Sequence, residues 1–141
     1  MEDIELLRRA CKAREQSYCP YSHFAVGAAL LAEDGQVFEG CNIENAGFSS
    51  TVCAERTAFF KAVSQGVTKF KAIAIVGGAH GQKVSEVCPP CGVCRQVMRE
   101  FCDPQSFEIV LGTCEDDLKV LKLEELFPYS FGPDALEGSK E

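Results

Sequence analysis

Two stretches of the sequence hold residues whose types and spacing could do chemistry: "TVCAERTAFF", residues 51–60, and "CPPCGVCRQVMREF", residues 88–101. Cys91 and Cys94 lie three apart where a helical pattern begins, so their sulfurs share one face near a helix N-terminus. Cys53 stands in the same situation ahead of a second helical segment. Free amide N–H groups and the helix dipole stabilise anions there, which lowers thiol pKa values and favours the thiolate that binds metal. Three thiolates from two helix starts suit a tetrahedral zinc site with its fourth position left to water.

Glu55 follows Cys53 by two residues and is not needed as a ligand. A carboxylate so placed can take a proton from metal-bound water and deliver it elsewhere. The plainer alternative is an acid favoured by the helix dipole. Three thiolates against Zn²⁺ leave a net charge of about −1, which weakens the metal's hold on its water. Arg56 can offset this by donating to the sulfurs, or it can be an ordinary exposed helix residue. Two rival classes stay open. Cys53, Cys88, Cys91 and Cys94 could close a four-thiolate structural site with no place for water; a redox C-x-x-C lacks the strand–helix context that such motifs need.

These residues need elements to hold them. Residues 3–17 carry Ile4, Leu6, Leu7, Ala10 and Cys11 at near-helical spacing before Pro20 stops them. The apolar run 24–32, the turn "EDGQ" and the run "VFEGCN" predict a β-hairpin. A helix is expected over 54–65, with Ala58, Phe59, Ala62 and Val63 on one face and Gly66 at its end. "KAIAIVGG" predicts a buried strand, "GGAHGQKVSE" a flexible loop, residues 91–101 a helix, "SFEIVL" a strand, and "LKLEELFPYSFG" a short terminal helix ended by Pro128. The order of elements predicts a layered α/β domain.

With 141 residues and 46% hydrophobic content, the chain has the size of one compact domain, residues 1–141. Its 14 Lys and Arg against 21 Asp and Glu give a charge of −7, with no basic cluster. A nucleic-acid partner is therefore not expected, since binding to a polyanion draws on a basic surface. No apolar segment approaches the ~18 residues that span a bilayer, and "MEDIELLRRA" does not read as a secretory signal. A cytoplasmic protein without a membrane partner is expected. Nine cysteines are an odd count for a disulfide framework, so reduced thiols are expected too.

"CAERTA" with "PCGVCRQ", preceded by "CPYSHFAVGAAL" and "GCNIENA", resembles the small zinc-dependent cytidine deaminases of the homotetrameric kind. The similarity runs from about Tyr18 to Phe131, and a Cys or His ligand, a nearby Glu and a downstream P-C-x-x-C are the signature of this chemistry. The resemblance implies an α/β/α domain on a mixed five-stranded sheet and one Zn²⁺ per subunit on Cys53, Cys91 and Cys94. Glu55 is then the proton shuttle as water adds at C4 of cytosine and ammonia leaves, giving uridine or 2′-deoxyuridine in pyrimidine salvage.

The resemblance also implies that Asn42 and Glu44 grip sugar hydroxyls, Phe24 packs on the pyrimidine, the Ala54 N–H donates to the base carbonyl, and Ala46 and Phe48 belong to the same substrate-binding set. Arg56 and Gln96 match residues behind the metal ligands. Phe131, in "SFGP", matches an aromatic that reaches into a neighbouring subunit's site. Phe48 stands where relatives often have Tyr, which removes a hydroxyl near the sugar. Without the resemblance, Phe24 reads as core and Asn42 and Glu44 as turn residues. Another cytosine-containing small molecule, such as blasticidin S, is the rival substrate.

Overall fold

A computed structural model describes residues 1–137. Helix α1 (Asp3–Ala13) leads through a 3₁₀ turn, Arg14–Gln16, to the hairpin β1 (Phe24–Ala32) and β2 (Val37–Cys41). Helix α2 (Ala54–Ser64), β3 (Phe70–Ala79), α3 (Gly92–Phe101), β4 (Glu108–Gly112), β5 (Leu118–Lys122), α4 (Leu123–Leu126) and α5 (Pro133–Glu137) follow. The five strands form one sheet in the order β2-β1-β3-β4-β5. β3 and β4 are parallel and the other pairs antiparallel, so the sheet is mixed as expected.

Side-chain alternation divides the core into two layers. Ile73, Ile75, Ile109 and Leu111 face α2 and α3, where Phe59, Ala58, Met98 and Phe107 join them. Ala72, Ala74, Val76 and Val110 face the other way and meet Leu6, Leu7 and Ala10 of α1. β1 is buried along almost its whole length because helices cover both of its faces, which is why it reads as a continuous apolar run. The α/β/α layering follows from these two faces.

Several expected boundaries shift. The first helix gives way at Arg14, whose guanidinium donates to the carbonyls of Ala25, Gly78, Ala79 and Gln82 and so ties the turn to β1 and the β3 exit. Gly77 and Gly78, shared by the expected strand and the expected loop, and Ala79, expected in the loop alone, all belong to β3 and pair with Val26, Ala25 and Phe24. The segment expected as one terminal helix begins as strand: β5 pairs Leu121 and Lys122 with Ile109 and Glu108. Only at Leu123 does the helix begin, where Glu125 accepts from the Lys122 N–H at 2.7 Å.

The expectation of reduced thiols throughout is corrected at one pair. Cys11, at the end of α1, and Cys114, just beyond β4, are joined by a disulfide with their Cα atoms 6.0 Å apart. The tertiary packing of α1 over β4 brings together two residues that are 103 apart in sequence. The other seven cysteines are free, Cys88 and all three expected ligands among them.

Candidate active site

Cys53 and Cys91 each occupy the residue immediately before a helix, in extended conformation, and Cys94 lies within the first turn of α3. The α2 and α3 starts meet on one side of the sheet, and the sulfurs of Cys53, Cys91 and Cys94 all lie within 4.8 Å of one another. The Cys53 and Cys91 sulfurs are 3.7 Å apart. A tetrahedral zinc with Zn–S bonds near 2.3 Å separates its sulfurs by about 3.8 Å, so the residues present fit the metal. Cys88 is not in the cluster, although it lies close enough for the charges of Glu55 and Cys53 to act on it. Burial and those charges push its thiol up to about 11.

The electrostatics favour a thiolate at Cys53. A hydrogen bond from Cys94, opposed by burial and aided by Arg56, holds Cys53 down at about 5. Cys94 is pushed up by the same pairing, so in the absence of metal the two share one proton. Arg56 Nη2 donates to the Cys53 sulfur at 3.3 Å, and its buried Nε has no partner.

Glu55 is 4% exposed, the only buried acid among the described residues. Burial pushes its carboxyl up to about 7; its own backbone N–H pulls the other way and the charge of Cys53 adds to the push. A carboxyl poised near neutrality can both take and give a proton. Ala54 is the first residue of α2 and fully buried, and its N–H, at the helix start, has no acceptor within the helix.

The other expected residues divide into two groups. Phe24, Asn42 and Glu44 come together where β1 begins and β2 ends. Asn42 Nδ2 donates to the Phe24 carbonyl at 2.8 Å, and the Glu44 carboxylate accepts from the N–H groups of Tyr21 and Ser22 at 3.0 and 3.1 Å. Hydrogen bonds from Ser22, its hydroxyl first, hold the Glu44 carboxyl below its ordinary value, so it is ionised. A hollow of about 380 Å³ opens beside Glu44, lined also by Tyr21, Ser22, Asn45, Phe48 and Thr51. Ala46 lies exposed between them on the same loop.

Phe48 is 83% exposed and Phe131 57% exposed, so neither ring is covered by its own chain. Gln96 donates its amide to the Phe131 carbonyl at 2.8 Å, which ties the C-terminal segment to α3. Two participants carried no signal in the sequence reading: Ser17, whose hydroxyl donates to Asn42, and Ser22, bonded to Glu44. Both sit beside quoted residues, but only folding shows which partner a serine takes.

The sequence pattern described as the cytidine and deoxycytidylate deaminase zinc-binding region matches residues 1–109. The chain belongs to this family. A cytidine deaminase of Sporosarcina psychrophila is 49% identical over 140 residues, 99% of this chain and 98% of its own. The crystal structure of a cytidine deaminase from Burkholderia pseudomallei superposes with a TM-score of 0.82 at 46% identity, covering 93% of this chain and all of that one. A blasticidin-S deaminase of Bacillus cereus is 31% identical over 135 residues, 92% of each chain. Relatives that cover nearly the whole chain thus carry the names of two different deaminases. No helix among the described residues is long and apolar enough to cross a membrane.

Proposed function

We propose that the chain hydrolyses cytidine and 2′-deoxycytidine to uridine and 2′-deoxyuridine with release of ammonia, acting in pyrimidine salvage in the cytoplasm. The observation that carries this is the convergence of three cysteine sulfurs from two helix starts beside a buried glutamate, in a chain of this family. Cys53, Cys91 and Cys94 would hold the zinc, which when bound supplies a Lewis acid that makes water a nucleophile at neutral pH.

The rest of the work falls to the chain. Glu55 takes the proton of the attacking water, passes it to N3 of the ring and delivers the second proton to the departing ammonia. Its pKa, raised to about 7, lets the same carboxyl act as base and then as acid. Arg56 draws charge from the sulfur of Cys53 through its hydrogen bond. The Ala54 N–H holds the base carbonyl, Phe24 packs on the ring, Asn42 and Glu44 hold the sugar, and Ala46 and Phe48 border it. Gln96 acts one step further out, by holding the Phe131 segment.

Residues 1–141 act as one domain, a reading that the single continuous sheet supports. We read the working unit as a homotetramer in which Phe131 completes a neighbour's site; the exposure of the Phe131 and Phe48 rings supports this by leaving both free to be covered by another chain. Loss of cytidine absorbance, measured before and after treatment with a zinc chelator and after zinc is returned, tests the reaction. Comparing cytidine with blasticidin S in the same assay identifies the substrate: preferential turnover of the antibiotic would overturn the nucleoside reading and leave the zinc chemistry standing.

A further inference from the structure

Asn42 is 9% exposed, and its side-chain amide is engaged almost entirely from within the protein. Oδ1 accepts from the Val26 N–H at 2.9 Å and also from the Ser17 hydroxyl, while Nδ2 donates to the Phe24 carbonyl at 2.8 Å. A side-chain amide has two lone pairs on oxygen and two N–H bonds on nitrogen. Both lone pairs are used, so what Asn42 has left to offer a ligand is a single N–H. Glu44, ionised and braced by Ser22, is acceptor-only. A donor from Asn42 and an acceptor from Glu44, two residues further along the chain, would together complement a hydroxyl, which accepts from one and donates to the other.

We propose that Ser17 is the positioning residue that makes Asn42 a donor-only group and thereby sets the sugar-hydroxyl selectivity of the site; this rests on the nucleoside reading above. Ser17 is well placed for the task. It closes the 3₁₀ turn after α1, with its N–H bonded to the Arg14 carbonyl at 3.1 Å. The next residue, Tyr18, donates to the Asn42 carbonyl at 3.0 Å and accepts from the Glu44 N–H at 2.9 Å, which laces this segment to the chain leaving β2. The Val26 and Phe24 contacts are made by backbone and stay with any sequence. Ser17 is the one side chain in the set, and so the one substitution that frees the second lone pair of Oδ1.

Without the hydroxyl, that lone pair is left inside the protein with no donor, or turns to compete for the substrate's own hydroxyl proton. Steady-state kinetics of the zinc-loaded enzyme on cytidine, 2′-deoxycytidine and 2′,3′-dideoxycytidine test this, with the parent, Ser17→Ala and Ser17→Thr compared. Ser17→Ala should raise KM for cytidine roughly two- to tenfold, the equivalent of one net hydrogen bond, and leave kcat near the parent's. Ser17→Thr, which keeps the hydroxyl, should restore KM. The defect should vanish on the analogue lacking the hydroxyl that Asn42 and Glu44 hold. An unchanged KM, or an equal rise on all three substrates, overturns the role of Ser17 while the parent's activity leaves the deaminase reading intact. A zinc-loaded parent that turns over none of the three overturns both.

Discussion

Glu55 lies in the first turn of α2, shielded from water and close to the charge of Cys53. Replacing its carboxyl by an amide keeps the shape and removes the proton carrier. Glu55→Gln should retain one zinc per chain by metal analysis and lose at least ~10²-fold in kcat, the low end for general acid–base catalysis; a variant with parental turnover would end its assignment as the shuttle. Cys88 poses a second question at this scale, because a fourth thiolate would leave no position for water. Cys88 lies outside the cluster of three sulfurs, so Cys88→Ser should keep zinc and activity while Cys91→Ser loses both. Zinc lost from the Cys88 variant would point to a structural metal site instead.

Among the elements, the position of α2 matters most, since its first turn carries Cys53, Ala54 and Glu55 together. That turn rests directly on β2: a methyl group on Gly40 would stand 2.5 Å from the Ala54 carbonyl oxygen and 2.6 Å from the Ala58 nitrogen. Both contacts are backbone, so neither can rotate out of the way. Gly27 has the corresponding role on the opposite face, where a methyl would stand 2.1 Å from the Ala10 carbonyl of α1. Gly40→Ala and Gly27→Ala should each cost about 1–3 kcal/mol of stability, as overpacking does. Gly40→Ala should also lower kcat below the parent's in protein that remains folded, because α2 carries Cys53 and Glu55, whereas Gly27 borders α1 and the turn at Arg14 that leads to Ser17, so its replacement should act on KM and leave kcat near the parent's. Thermal unfolding beside kinetics at low temperature checks this, and equal kinetic losses in the two variants would contradict it.

At the scale of the whole molecule, two features join distant parts. The disulfide of Cys11 and Cys114 closes a loop of 103 residues, which by the loop-entropy account contributes about 4–5 kcal/mol. It ties α1 to the end of β4, on the face away from Cys53 and Cys94. Cys114→Ser should therefore lower the unfolding midpoint markedly while kcat stays at the parental value; a parental midpoint under non-reducing conditions would show that the bridge does not form in solution. The second feature is Phe131, exposed beyond α4, with its carbonyl bonded to Gln96. If a neighbouring chain's site needs this ring, Phe131→Ala should keep its zinc and bind cytidine weakly. Light scattering alongside kinetics on dilution checks the assembly, and a fully active monomer would refute a shared site.

The sequence by itself singled out the three clustered cysteines, the acid beside them and most of the elements around them, because these rest on local chemistry. A thiol just ahead of a helix start, an acid two residues on, and apolar residues at helical or alternating spacing have the same physical meaning wherever the chain places them. It also separated Cys88 from Cys91 with two prolines, which hold the chain extended before α3. What only the tertiary structure decided depends on residues far apart in sequence. The β5 strand exists because β4 offers a free edge to residues 118–122, and its end otherwise reads as part of the helix that follows. The Cys11–Cys114 bridge forms because α1 packs over β4, and an odd count of cysteines carries no sign of it. Ser17 meets Asn42 across 25 residues, and a serine's one hydroxyl gives no hint in the sequence of the acceptor it will find. Periodicity and spacing act within a turn or a strand, whereas pairing partners are chosen by the packing of the layers.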